Sequence, residues 1–181
     1  MRRVAIPSLC GGLVFWAFVT LAMHTTPPAP HPPVPQFQGG ATSVDALLDD
    51  LLAAVAAHDE AALNRLRVTE EEYRTIIVPG TAEPGQPPRK ISDHVSEYFW
   101  HMLDAKSRDL TYAALGQFGG QQLTRREVRY TKGVKQYQGY TALGEVRMQV
   151  VNTNGEKQEF RSGTIAEVGG RYKFIGLNWN D

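Results

Sequence analysis

A chain of 181 residues with 19 basic and 19 acidic side chains carries no formal net charge, and it holds one cysteine, Cys10. Charge balance argues against a nucleic-acid binder sustained by phosphate contacts. A lone cysteine excludes an internal disulfide framework and any cysteine-based metal centre.

The first element is Val4 to Met23 (VAIPSLCGGLVFWAFVTLAM), twenty uncharged residues behind Met1-Arg2-Arg3. As a helix rising ~1.5 Å per residue it reaches across a hydrocarbon core roughly 30 Å thick. Arg2 and Arg3 set the amino-terminal end inside, so the rest of the chain is expected outside the cytoplasm. Residues 1–23 are read as a signal peptide or a single-pass transmembrane anchor. Pro7 shortens the regular apolar stretch and Thr20-Leu21-Ala22 is a fair cleavage site, so both outcomes stand. The body is then inner-membrane anchored with its domain outside, or secreted to the periplasm, with the membrane as a partner through residues 4–23 in the uncleaved form. Cys10 lacks the small preceding residues that lipidation requires.

Residues 24–41 form a spacer. Thr25 to Gly40 (TTPPAPHPPVPQFQGG) holds six of the eleven prolines and no charge, so it is expected to be extended and semi-rigid, with its proline-dense part spanning about 28 Å at ~3.1 Å per residue.

The body, residues 42–181, opens on helical spacing. Thr42-x-x-Asp45 has the form of a capping box, and Val44, Leu47, Leu48, Leu51, Leu52 and Val55 share one stripe. Asp45, Asp49 and Asp50 fall opposite, as a water-facing side. His58-Asp59 breaks the helix before a short second one (EAALNRL). Thr69-x-x-Glu72 caps a third that buries Tyr73, Ile76 and Ile77 and stops at Val78-Pro79-Gly80. In the loop that follows, Gly80 and Gly85 have phosphate-loop spacing, but Gln86-Pro87 stands where lysine and serine or threonine are required. A fourth helix from Ser92 is expected to bury Val95, Tyr98, Phe99, Met102 and Leu103, then to continue past an interruption at Ser107 to Gly119-Gly120.

From Gln121 the period becomes two. Leu123–Lys132, Tyr140–Asn152, Glu156–Val168 and Arg171–Trp179 read as four strands with turns at Asn154-Gly155 and Gly169-Gly170. In the second, Ala142, Gly144, Val146, Met148 and Val150 are expected on one face, with Glu145, Arg147 and Gln149 on the other. Helices followed by a curved antiparallel sheet define an α+β fold with helices covering one sheet face.

The opening LLDDLLAAVAAHDEAALNRL and the closing TIAEVGGRYKFIGLNW together resemble domains of the nuclear-transport-factor-2-like superfamily, which includes ketosteroid isomerases and SnoaL-type cyclases. The resemblance spans about Ser43 to Asp181 and implies a cone-like sheet wrapped around helices. It also implies a pocket lined by Tyr73, Tyr98, Met102, Tyr130, Met148, Phe160, Tyr172 and Phe174, with Val128 and Val146 beside them, unless these side chains fill the cone as core. Domains of this fold on short anchors serve as scaffold parts of envelope machines. An extracytoplasmic binding or scaffold domain is therefore the leading expectation, with an envelope protein or a small apolar ligand as partner and a homodimer through paired sheets.

The catalytic alternative is an isomerase, dehydratase or hydrolase using the cone, with His101 and Asp104 as acid–base residues. Glu145, Glu159 and Glu167 alternate onto the expected outer face, and no residue matches the superfamily's catalytic carboxylate. His94, Glu97 and His101 share a ~60° helical sector, but three ligands on one straight helix converge poorly, and no metal or cofactor is assigned. Arg125, Arg126, Arg129, Lys132 and Lys135, with Tyr130 and Tyr137 interleaved, resemble an anionic-surface binder. With Arg2 and Arg3 removed from the 19 basic residues, however, 17 remain against 19 acidic ones, and nucleic acid is not an expected partner.

Overall fold

The computed structural model describes residues 35–177. The Val4–Met23 segment, the spacer to residue 34 and the expected strand end at Trp179 lie outside the described residues. Among those described, no helix is long and apolar enough to cross a membrane.

Helix α1 (Val44–Ala56) is capped by Ser43, whose hydroxyl accepts the Ala46 N–H at 3.1 Å. The cap is thus one residue later than the Thr42 box suggested. Its leucine stripe is fully buried, as the spacing predicted. His58, at φ 54°, turns the chain, and Asp59 starts α2 (Glu60–Arg65) by accepting the Ala62 N–H at 2.8 Å. The capping box at Thr69 and Glu72 is present. From it α3 (Glu70–Glu72) runs through a π-helical stretch (Tyr73–Ile77) into α4 (Val78–Gly80). Pro79 accounts for the widened turn: it has no N–H, and its ring would crowd the carbonyl four residues back, so the Val78 N–H reaches Tyr73 instead.

Helix α5 (Asp93–Phe118) has 26 residues and no break at Ser107. It buries Ser96, Trp100, Ser107, Leu110, Thr111, Ala114, Leu115 and Phe118. Of the expected inward stripe Leu103 packs against the core, but the rest is turned outward: Val95, Tyr98, Phe99 and Met102 are 42 to 61 % exposed. Two stripes compete along this helix, and the one carrying Trp100, whose ring lies 5.6 Å from that of Tyr73, goes inside. Its small serines let the helix approach the sheet; a Cβ on Gly176 would stand 2.6 Å from Leu103 Cδ1 and 3.0 Å from Ser107 Oγ.

The sheet contains β1 (Thr124–Tyr130), β2 (Val134–Gln136), β3 (Thr141–Val151), β4 (Lys157–Val168) and β5 (Arg171–Gly176). Its order is β1-β3-β4-β5, with β2 paired to the start of β3, and all pairings are antiparallel. Strand β2 escaped the sequence reading because it is three residues long and fully exposed. Between β3 and β4 the register shifts: Leu143 faces Ile165 while Val146 faces Gly163. The extra residue centres on Glu145, which sits at φ 48°. Such a bulge reverses the alternation, so Ala142 and Val146 lie on opposite faces instead of together.

Two apolar clusters result, one on each face. The first joins α1, α2 and the carboxyl-terminal half of α5 to Val146, Met148, Val150, Phe160, Ile165 and Phe174. The second joins Phe37, Val68, Ile76, Ile77 and Trp100 to Ala142, Ala166 and Val168. Phe174 enters the first and its neighbour Ile175 packs on the second, as strand alternation requires. Helical segments therefore cover parts of both faces, where one covered face was expected.

The packed body also begins earlier than residue 42. Phe37 is buried, the Gln38 N–H donates to Glu72 at 2.8 Å, and Ala41 pairs with Tyr172. Beneath this strap Lys173 donates to both carboxylate oxygens of Glu72, at 2.8 and 2.9 Å. Each partner is under 5 % exposed. Val68 and Leu66 bond to Phe174 alongside, so the β5 edge is closed to further strand pairing.

Candidate interaction surface

The interior expected to form a pocket is filled. Met148, Phe160 and Phe174 have no exposed surface, and the Phe118 and Phe160 rings lie 5.1 Å apart across the space between α5 and the sheet. Tyr130 and Tyr172 are half-buried at the margin of the same cluster; burial pushes the Tyr130 hydroxyl above its ordinary value. Tyr73 belongs to the second cluster, on the reverse face. Tyr98 and Met102 are corrected outright: at 61 and 54 % exposure they line no interior.

Neither acid–base candidate lines an interior cavity. His101 is two-thirds exposed and lies 3.8 Å from Glu97. Asp104 is held by Arg67 Nη2 at 3.1 Å and Arg108 Nη2 at 2.9 Å. Arg67 is nearly buried and also donates to Asn64; desolvation lowers its pKa, and the bond to Asp104 opposes that. The clamp on Asp104 thus fastens α5 to the α2–α3 connection and leaves the carboxylate no free oxygen facing a cavity.

A small cleft of about 170 Å³ lies between α5 and the bulge, lined by Leu103, Lys106, Lys132, Glu145, Thr164 and Ile175. Glu145 is on the expected face but is only 9 % exposed. Arg147 donates to it at 2.6 Å and Lys132 approaches at 3.4 Å. The Arg147 bonds hold its carboxyl at about 2, against the ordinary 4.5. With Arg147 and Lys132 on its carboxylate, Glu145 serves as an ion-pair anchor and is a weak proton acceptor. Thr131 donates both its N–H and its hydroxyl to the Glu145 carbonyl, which helps to hold a backbone conformation that costs of order 1–3 kcal/mol.

From Glu145 an ion-pair ladder crosses the open sheet face: Arg147 to Glu159 at 3.5 Å, and Arg161 to Glu159 at 3.0 Å. The basic stretch is likewise distributed into pairs. Arg125 bonds Asp45 and, at 3.1 Å, Asp49 of α1, while Arg129 meets Glu127 and Lys135 meets Glu83. No continuous cationic surface results from these residues.

What remains is the flank of α5. Val95, Tyr98, Phe99 and Met102 recur at three- and four-residue intervals, so they form one apolar stripe on the first half of the helix. A contiguous exposed apolar stripe of this kind is the usual mark of an interaction site. The sequence contained its signal, a second apolar period beside that of Trp100, but not which period the sheet would select. The fold and surface together define an α+β domain with a five-stranded antiparallel sheet, a closed interior and an apolar helix flank. No family model, no curated protein and no solved structure matches the chain.

Proposed function

We propose that this protein is an extracytoplasmic protein-interaction domain of scaffold type, built on a nuclear-transport-factor-2-like plan and delivered or tethered by residues 4–23. One observation supports the reading above the catalytic alternative: Met148, Phe160 and Phe174 fill the interior while Val95, Tyr98, Phe99 and Met102 are spent on the outside. An enzyme of the cone type needs the reverse arrangement, a cavity with a base beside it. Here His101 faces solvent and Asp104 is committed to two arginines.

The test separates folding from assembly. Phe99→Lys combined with Met102→Lys leaves the interior untouched, and it abolishes the assembly of the full chain while the variant still unfolds cooperatively. Retention of the same assembly by this variant would overturn the reading.

A further inference from the structure

The outward side of α5 is not apolar along its whole length, and its sequence is organised. At ~100° per residue, Tyr98, Phe99, Met102, Lys106, Asp109, Ala113, Gly116 and Gln117 fall within about 100° of one flank. All of them are exposed. Large apolar side chains occupy the first half, a cation and an anion the middle, and the small Ala113 and Gly116, with Gln117, the last turns. Gly116 is the anomaly. A Cβ there would meet nothing within 4 Å, so among the described residues no contact requires glycine, although glycine in a helix costs roughly 0.5–1 kcal/mol relative to alanine.

From this pattern we infer that the partner of the α5 flank is a second copy of the same chain, packed antiparallel about a twofold axis between Lys106 and Asp109. This deepens the scaffold reading and rests on it. In this register Lys106 meets the second copy's Asp109, and the reciprocal pair forms by symmetry. One turn outward Met102 covers the second copy's Ala113. A turn further Phe99 covers its Gly116, and Tyr98 lies beside its Gln117. Met102 and Phe99 of one half thus meet the small Ala113 and Gly116 of the other, which allows close helix approach at 8–10 Å between axes. A parallel pairing would place Lys106 on Lys106 and large residues on large ones. Pairing through the open sheet face would desolvate the Arg147–Glu159–Arg161 ladder, a cost that its Coulombic attraction does not reliably repay.

The register makes residue-specific demands on the full chain carrying Cys10→Ser. Met102→Cys with Ala113→Cys together give a disulfide-linked dimer on mild oxidation. Either cysteine alone gives at most a tenth of that yield, since like positions stand roughly 16 Å apart along the axis at ~1.5 Å per residue. In the two-cysteine background Lys106→Asp or Asp109→Lys alone lowers the yield at least fivefold, and the two exchanges combined restore it. Equal yields from the single cysteines, or a combined exchange no better than its parts, would overturn the register. Loss of assembly in the Phe99→Lys and Met102→Lys variant alongside a failed cysteine pair would refute self-pairing and leave the scaffold reading standing.

Discussion

Lys173 and Glu72 show how much a single buried contact can decide. Both are nearly inaccessible, and Glu72 also accepts the N–H groups of Gln38 and Thr69 at 2.8 Å. Every charge and lone pair involved has a partner, so the pair can persist in the core; removal of one member leaves an uncompensated charge. Lys173→Met is therefore expected to cost about 3 kcal/mol in urea unfolding, and Glu72→Gln in the same chain to recover at least 1 kcal/mol of it. Additive losses would mean the two groups are not coupled. Half of this arrangement was legible: Thr69-x-x-Glu72 spells a capping box. Its second role was not, because Lys173 lies 101 residues away.

Glu145 gives the pH counterpart. Its folded carboxyl, near 2, is depressed below the ordinary 4.5, so its contribution is complete above 4.5 and is lost as pH falls towards 2. Thermal stability of the wild type should decline across that window, and Glu145→Gln should flatten that part of the profile. An unchanged slope would mean that the Arg147 bond does not persist in solution. The bulge at this residue is also where the sequence misled, since strict alternation cannot reveal one extra residue in a strand.

Among the elements, α5 carries the account. Its position and ends were readable from Ser92 and the Gly119-Gly120 stop, but its inward face was not, because Val95, Phe99 and Met102 compete with Trp100, Leu103 and Leu110 at nearly equal spacing. Contact with Tyr73 and with the bare backbone at Gly176 resolved the competition. If that resolution is right, Phe99→Lys with Met102→Lys should shift the urea unfolding free energy by less than about 0.5 kcal/mol when both chains are diluted to single copies, as surface changes do. Phe160→Ala, in the first cluster, should cost about 3–5 kcal/mol. Comparable losses for the two variants would place the exposed stripe inside the fold.

At the scale of the molecule, the order of helices before strands reached the α+β class without a structure. The filled interior did not follow, because aromatic side chains that line a cone and those that plug it have the same periodicity; only packing separates them. The strap from Phe37 to Ala41 was likewise hidden in a proline-rich composition, since Phe37 packs beside Lys173 of β5, far along the chain. The resulting body has its apolar interior closed and its spare apolar surface on one helix. The most direct test is the mass of the assembly that carries the full chain in detergent extract. The wild type should exceed one 20.1 kDa copy, and the Phe99→Lys, Met102→Lys variant should fall to a single copy while remaining folded; a single copy in both, or the same assembly in both, would contradict the account.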